Sequence, residues 1–279
     1  MSPESSRDGD DVSPVSILMD TNSDDCLRIA HRGCRDQYPE NTIAAIEAAA
    51  PHVDAVEIDV RACGTGELVV FHDETLSRVT SGTGRIDETP LAAIRELDVL
   101  GSGEPIPTLR ELLDAMSALS ELPVLNVELK SSGIAPRAVS ACADTDLDVL
   151  YSAFHGPIPR EIRAADPDAP IAVVFSERPD TALKLADEVD AVAVHPWKGL
   201  IRGTDTEAEG GDQSTPDDDL VAAAHSRNLV VNAWSVAATP EVKRLQAAGV
   251  DGVIADRWDI FGSAAGSVES GHTDASASE

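Results

Sequence analysis

Three carboxylates stand inside segments that otherwise have the composition of buried strands. Glu57 and Asp59 lie two residues apart in the apolar run AVEIDV, and Glu128 lies in the apolar run VLNVELK. Residues two apart on a strand point to the same side of a sheet. Burying unpaired carboxylates is costly, so either a network of ion pairs compensates them or they bind a cation. We favour a hard divalent cation, Ca²⁺ or Mg²⁺, because such ions prefer oxygen ligands.

Two histidines also end strand-like runs. His31 closes the run LRIAH, and His72 closes the run ELVVFH inside a long connection. Histidine carries protons to and from reacting groups near neutral pH, so a pair at one site indicates general acid–base catalysis. Arg32 beside His31 provides a guanidinium fork that suits phosphate oxygens. The other five histidines are interpreted as structural: His52, His155, His195, His225 and His272.

Strand-like and helical patterns alternate along the chain, and these elements must position the reactive side chains. Eight strands are predicted, at 27–31, 55–60, 124–130, 148–154, 171–176, 191–195, 229–236 and 252–256. Helical patterns lie between them, for example at 42–50, 108–119, 179–188, 216–226 and 240–248. This alternation predicts an α/β fold, a (β/α)₈ TIM barrel with a short insertion at 61–107 after the second strand. A doubly wound open sheet is less favoured, since no glycine-rich phosphate loop follows the first strand.

The ends of the chain differ from its centre in composition. Residues 1–25 and 263–279 are rich in Ser, Asp, Glu and Gly and are expected to be disordered tails around one domain at 26–262. An acidic loop is expected at 202–219. The N-terminus lacks a secretory signal pattern, no apolar run is long enough to span a membrane, and the four cysteines show no metal-binding spacing. A cytoplasmic location is therefore predicted.

The charge of the chain is extreme. There are 21 basic and 50 acidic residues, a net charge of −29, and only four of the basic residues are lysines. This composition is typical of proteins from salt-accumulating halophiles, whose self-repulsion is screened at molar salt. A surface this acidic repels phosphate backbones and anionic membranes, so neither nucleic-acid binding nor stable membrane insertion is expected.

Several short motifs carry a family resemblance. In chain order they are His31-Arg32-Gly33, Pro39-Glu40-Asn41-Thr42, Glu57-Ile58-Asp59-Val60, Phe71-His72-Asp73 with Leu76-Ser77-Arg78-Val79-Thr80, Ile106-Pro107-Thr108-Leu109, Asn126-Val127-Glu128-Leu129-Lys130, Asn232-Ala233-Trp234-Ser235-Val236, and the segment from Gly249 to Asp256. Together they resemble the glycerophosphodiester phosphodiesterase family over about residues 28–260. One departure is the turn at 62–66, which lacks the family's usual residues.

The resemblance implies both a reaction and the residues that perform it. It implies hydrolysis of deacylated phospholipids, which are small-molecule glycerophosphodiesters, to glycerol phosphate and an alcohol. By matching position it assigns Glu57, Asp59 and Glu128 to one divalent metal ion, His31 and His72 to acid–base catalysis, and Arg32 and Lys130 to the substrate phosphate. Trp234 is a further candidate for substrate binding.

Some alternatives stay open at the level of sequence. Trp234 either lines the glycerol or fills the barrel mouth. Glu40 either supports the site or is a carboxylate favoured by the start of a helix, and we favour the helix interpretation. The nucleophile is either water or a glycerol hydroxyl. The alternative functions are a phospholipase-type phosphodiesterase acting on intact lipid and a catalytically inactive barrel that binds a phosphate ligand.

Overall fold

The strands form a closed parallel barrel. The computed structural model of the protein describes residues 26–154, 156–201 and 219–261. Within these segments the strands are β1 (Leu27–Ala30), β2 (Ala55–Ala62), β3 (Leu68–Val70), β4 (Val124–Leu129), β5 (Val149–Phe154), β6 (Ile171–Phe175), β7 (Ala193–Pro196), β8 (Val230–Val236) and β9 (Gly252–Ala255). β1 pairs in parallel with both β2 and β9, which closes the ring of eight strands. The predicted (β/α)₈ barrel is confirmed.

Helices connect the barrel strands. They are α1 (Ile43–Ala49), α2 (Leu91–Ile94), α3 (Leu109–Ser117), α4 (Ala135–Ala143), α5 (Ile158–Ala165), α6 (Pro179–Glu188), α7 (Leu220–His225) and α8 (Thr239–Ala247). Thr108 and Glu111 form the capping box that their spacing indicates at the start of α3. Short 3₁₀ turns lie at His31–Gly33, Ala50–His52, Leu76–Arg78, Ile86–Glu88, Lys198–Leu200 and Asp259–Phe261.

The barrel interior has an apolar layer beneath the site. Each of the eight barrel strands contributes one side chain to it: Ile29, Ala55, Val124, Leu150, Ala172, Ala193, Val230 and Ile254. A second and larger apolar cluster packs the outside of the strands against the helices. Because the inner layer fills the lower part of the barrel, polar side chains are left at the carboxyl ends of the strands, where barrels of this type carry their active sites.

The connection between β2 and β4 has a small core of its own. β3 pairs antiparallel with the end of β2, and apolar residues from the connection pack together beside the barrel. The unusual turn at 62–66 still allows this hairpin. Gly66 has a φ of +98°, and a Cβ on Gly64 would lie 2.7 Å from the backbone of Glu88, so both positions require glycine. The insertion predicted at 61–107 thus carries His72 on a compact element.

Parts of the predicted chain lie outside the described residues. These are the tails at 1–25 and 263–279, His155, residues 216–218 of one predicted helix, and the acidic loop at 202–219 except for Asp219. The domain boundaries therefore stay predictions. Among the described helices, none combines the length and the apolar character needed to cross a bilayer.

The charge of the chain predicts a strong dependence of stability on salt. We expect the unfolding temperature to rise from about 0.1 M to about 3 M KCl, because the Debye length falls from about 10 Å at 0.1 M to about 3 Å at 1 M and the repulsion within a net charge of −29 is screened. Salt also weakens exposed ion pairs, but each of these contributes only about 0–1 kcal/mol. Thermal unfolding followed by circular dichroism measures the effect. Equal stability at both salt concentrations would contradict the halophile interpretation.

Candidate active site

The three predicted carboxylates converge at the ends of two adjacent strands. Asp59 on β2 pairs in register with Glu128 on β4, and Glu57 lies two residues earlier on the same side of β2. One carboxylate oxygen from each lies within 4.8 Å of the others, and all three side chains are buried. Strand register therefore brings together residues that are far apart in sequence.

Two cations and an amide partly compensate this cluster. The Lys130 ammonium lies 3.1 Å from Asp59 Oδ1 and also donates to Glu128 Oε1. Arg32 Nε lies 3.1 Å from Asp59 Oδ2, and Asn41 Nδ2 donates to the same oxygen at 2.9 Å. Three carboxylates against two cations leave a surplus of one negative charge when all three are ionised. An ion-pair network therefore compensates two of the three carboxylate charges and leaves one uncompensated.

The two carboxylates on β2 differ in their pKa values. Burial by itself raises the pKa of Asp59, but Lys130 and Arg32 outweigh it and hold the pKa well below its usual range. For Glu57, burial and then the neighbouring carboxylates Asp59 and Glu128 raise the pKa well above its usual range. Glu57 is therefore the member of the cluster whose charge is least compensated.

The cluster fits a divalent cation. Glu57 Oε2 accepts a hydrogen bond of 2.9 Å from the backbone N–H of Arg32, while Glu57 Oε1 is buried and has no hydrogen-bond partner among the described residues. A buried oxygen without a partner, in an oxygen-only donor set with surplus negative charge, is what a hard cation requires. The donor set is compatible with Ca²⁺ and with Mg²⁺ alike.

The first histidine is held by an aspartate that the sequence analysis did not assign. His31 Nδ1 lies 2.5 Å from Asp256 Oδ1, and Arg35 donates to the other oxygen of Asp256 at 3.0 Å. Burial lowers the pKa of His31, although the Asp256 carboxylate opposes this effect. Since an ionised carboxylate only accepts, Nδ1 carries the proton and Nε2 keeps its lone pair. Asp256 directly follows the buried run GVIA of β9. A carboxylate at the carboxyl end of a barrel strand is the sequence signal that could have identified it as a site residue.

A strained turn places Arg32 beside the carboxylates. Arg32, Gly33 and Cys34 have consecutive φ values of +53°, +75° and +64°. A Cβ on Gly33 would lie 2.8 Å from the Ala45 side chain, so the turn packs directly on α1. Such backbone strain persists only where the surroundings fix it, and it is common at functional sites. Here it directs both the backbone N–H and the guanidinium of Arg32 toward β2.

The second histidine, His72 on the insertion, is also held by an aspartate. His72 Nδ1 lies 2.6 Å from Asp73 Oδ1. The loop is fixed to β2, because Phe71 N donates to Asp59 O at 2.8 Å and Arg61 Nε donates to His72 O at 2.7 Å. Burial lowers the pKa of His72 as well, although the Asp59 charge opposes the effect. Burial thus favours the neutral form of both imidazoles, and each presents Nε2 away from its aspartate.

Glu40 does not serve the start of helix α1, so the favoured sequence interpretation is wrong. Thr42 caps that helix, accepting a hydrogen bond of 3.2 Å from Ala45 N. Glu40 is buried and accepts instead from Arg32 Nη1 at 3.0 Å and from both Nη atoms of Arg78, at 2.8 and 2.6 Å. The reason is a tertiary contact between the insertion and the barrel, which local sequence does not show.

Aromatic side chains form one wall of the site. Trp234 on β8 stands edge-on to Phe154 on β5, with ring centroids 5.7 Å apart, and its Nε1 donates to His195 O at 2.8 Å. The Lys130 ammonium lies 5.4 Å from the centroid of the Phe154 ring. Trp234 also lines an open space of about 230 Å³, together with His31, Glu57, Asn126, Glu128, Val174, His195 and Ile254. It therefore faces the site.

His195 is buried below this wall. Burial lowers its pKa to about 3, and its Nε2 lies 3.2 Å from Asn232 Nδ2. The imidazole is neutral and forms part of the pocket floor. Its described contacts are those of a structural residue, which is the role that the sequence suggests.

The fold and the site together define a class of protein. A (β/α)₈ barrel carries, at the carboxyl ends of its strands, an acidic cluster that fits a divalent cation, two histidines held by aspartates, and the cations Arg32 and Lys130 beside the cluster. This constellation is that of a barrel hydrolase acting on an anionic ester.

Comparison with known proteins identifies the family. The model of the glycerophosphoryl diester phosphodiesterase family matches residues 31–260. A glycerophosphodiester phosphodiesterase from Caldanaerobacter subterraneus subsp. tengcongensis is 30% identical over 244 residues, which cover 82% of this chain and 93% of the relative. One from Bacillus altitudinis is 29% identical and covers 81% and 93%. The chain belongs to the glycerophosphodiester phosphodiesterase family and is an enzyme, a phosphoric diester hydrolase.

A solved structure of similar fold contains a reaction product. It is an Oleispira antarctica phosphodiesterase in complex with the product sn-glycerol-3-phosphate, with a TM-score of 0.72, 29% sequence identity, and coverage of 84% of this chain and 94% of that one. The family resemblance that the motifs carried is therefore confirmed.

Proposed function

We propose that this enzyme hydrolyses glycerophosphodiesters to glycerol phosphate and an alcohol, with a divalent cation and a pair of histidines. The observation that carries the proposal is the convergence of two histidine–aspartate pairs on one acidic cluster. His31 lines the same space as Glu57 and Glu128, and Phe71, the residue before His72, donates its N–H to the carbonyl of Asp59 at 2.8 Å. The charge of Asp59 acts on both imidazoles.

The substrate phosphate meets fixed positive charge in this site. When bound by Glu57, Asp59 and Glu128, the cation supplies positive charge to the phosphoryl oxygens. Burial alone lowers the pKa values of Lys130 and Arg32, but the carboxylates outweigh it and raise both, so the two side chains stay protonated. Lys130 directs donors at Asp59 and Glu128, and its third N–H is available to a substrate oxygen.

The histidines supply the proton transfers. A neutral imidazole with its proton on Nδ1 accepts a proton at Nε2 from the attacking hydroxyl, and the adjacent aspartate stabilises the imidazolium that forms. The second histidine enters the step as an imidazolium, protonated on both nitrogens and stabilised by its own aspartate. It gives its Nε2 proton to the departing alkoxide and becomes neutral. The attacking hydroxyl belongs either to water or to the glycerol of the substrate, and both routes end in the same products after hydrolysis. Trp234 lines the side of the pocket where we place the glycerol.

Hydrolysis of defined substrates tests the proposal. Purified protein is incubated with glycerophosphodiesters of several headgroups, and with the corresponding intact phospholipids, at several KCl concentrations. We expect glycerol phosphate from the deacylated substrates, stimulation by millimolar Ca²⁺ or Mg²⁺, and loss of the activity in excess chelator. Turnover of intact lipid alone would favour the phospholipase alternative, and no turnover of either would favour an inactive barrel. The halophilic character and the cytoplasmic location stay predictions.

A further inference from the structure

A continuous series of contacts connects the insertion to the barrel across the site. His72 Nδ1 contacts Asp73, and the second oxygen of Asp73 accepts from Arg78 Nε. The two Nη atoms of Arg78 then bind Glu40, which also binds Arg32 of the barrel. Each link is a charged hydrogen bond or ion pair, so the series joins the histidine on the insertion to an arginine beside the carboxylate cluster.

The contact at Glu40 differs from an ordinary surface salt bridge. Glu40 is 5% exposed, and its two oxygens accept three hydrogen bonds from Arg32 and Arg78. Charged hydrogen bonds with two parallel donors fix geometry better than a point contact does. Because the carboxylate is buried, removing one of its partners leaves a poorly compensated charge. Arg78 is therefore held in one orientation even though its own side chain is half-exposed.

On the insertion, Arg78 holds the side chain that orients the His72 ring. The backbone of the His72 loop is fixed at Phe71 and by Arg61, but those contacts leave the imidazole free to rotate. Among the described side chains, Asp73 binds the ring through His72 Nδ1, and Arg78 Nε donates to the other oxygen of Asp73. The orientation of the His72 ring thus depends on Arg78, and through Glu40 on the barrel.

We propose that Arg78 and Glu40 are positioning residues that fix His72 of the insertion relative to Arg32 of the barrel. This inference rests on the proposed function, in which His72 transfers a proton. Loss of an outer-shell partner that orients a metal ligand costs about 10–100-fold in metal affinity or activity, and we take the same range for a residue that orients a catalytic histidine. We therefore expect Arg78→Gln to lower kcat by about 10–100-fold. Arg78→Lys keeps the charge but lacks the planar fork, so it should restore only part of the loss.

The chain offers a matched control in Arg85. It lies on the same insertion, its side chain is 43% exposed against 45% for Arg78, and it also bridges two carboxylates, Glu74 and Asp87. Arg85 contacts neither Asp73 nor Glu40 in the described structure. Arg85→Gln should therefore leave kcat and KM unchanged while removing a comparable set of surface ion pairs.

A double-mutant cycle tests whether Arg78 acts through His72. We compare Arg78→Gln, His72→Gln and the double variant, with the folded fraction of each measured by circular dichroism. If Arg78 only positions His72, its replacement has little further effect once His72 is absent. A merely structural role would instead multiply the two losses, and that result would overturn the inference.

Two further outcomes separate the inference from the proposed function. If His72→Gln is impaired while Arg78→Gln is as active as Arg85→Gln, the positioning role is wrong and the catalytic role of His72 stands. If His72→Gln keeps full activity, the proposed mechanism fails and the positioning role fails with it.

Discussion

Glu57→Gln is expected to abolish the response of the enzyme to divalent cations. Among the described residues, Glu57 Oε1 is buried with no hydrogen-bond partner and no ion pair, whereas Asp59 Oδ1 also lacks a hydrogen bond but lies 3.1 Å from the Lys130 ammonium. The amide therefore removes the ligand charge at the position where the cluster is least compensated. Loss of an outer-shell partner alone costs about 10–100-fold in metal affinity or activity, and loss of a ligand should cost at least that much in kcat/KM. Steady-state kinetics at several Ca²⁺ and Mg²⁺ concentrations measure the effect.

Thermal unfolding gives a second measurement that does not depend on activity. A ligand present at 100 times its Kd stabilises the folded state by about 2.7 kcal/mol, so the native enzyme should unfold at a higher temperature in millimolar cation. Glu57→Gln should lose this increase. Glu47→Gln is the matched control, because Glu47 is an exposed carboxylate on α1, and it should behave like the native enzyme in both assays.

In chelator the same substitution should not harm the protein. Burial and the neighbouring carboxylates raise the folded-state pKa of Glu57, so the folded protein binds more protons here than the unfolded chain does. The stability that this group contributes is therefore lost as pH rises above about 4.3, the usual pKa of glutamate. Glu57→Gln does not lose this stability. In chelator its free energy of unfolding should therefore exceed that of the native enzyme by an amount that grows with pH. Cation-dependent stabilisation that survives in Glu57→Gln would contradict the proposed metal site.

The carboxylates and the two histidines could be singled out from the sequence because their chemistry conflicts with their surroundings. Acidic residues in an apolar strand are costly to bury unless a partner or ligand compensates them. Strand periodicity also shows that Glu57 and Asp59 share a face. Once the strands are arranged in a barrel, the position of Glu128 beside them follows from parallel register. Residues such as these can be found without a structure.

The partners of these residues could not be found in the same way. Asp256 is 225 positions from His31, and Arg78 is 38 positions from Glu40, so nothing local marks either pair. Short helices were also hard to identify. The starts of α4 and α5 have no side-chain cap, so the Ser, Thr, Asp or Asn signal is missing there, and each helix retains only a proline in its first turn as a start signal. Tertiary contacts decide these features, and a single sequence does not encode them in any local pattern.

His31→Ala and His72→Ala are each expected to lower turnover by about 10²–10⁴-fold, the usual contribution of a general acid or base. The double variant should lose clearly less than the product of the two single losses, because groups that act as a unit are not additive. His225→Ala is the matched control. Its imidazole also contacts an aspartate, Asp251, at 2.9 Å, but it lies on α7 and outside the site. It should leave turnover unchanged.

Substrates with different leaving groups then assign the two roles. A nitrophenolate departs with little protonation, so the variant that lacks the general acid should recover much of its rate on a nitrophenyl diester. The variant that lacks the general base should not recover, because its defect lies in activating the attacking hydroxyl. Burial lowers the pKa values of both His31 and His72, so in the native enzyme kcat/KM should fall with decreasing pH at a midpoint below about 6.5, as the base becomes protonated. It should also fall with increasing pH, as the general acid loses its proton. If both alanine variants keep near-native turnover on glycerophosphodiesters, the two histidines are structural, and the mechanism proposed for this site is wrong.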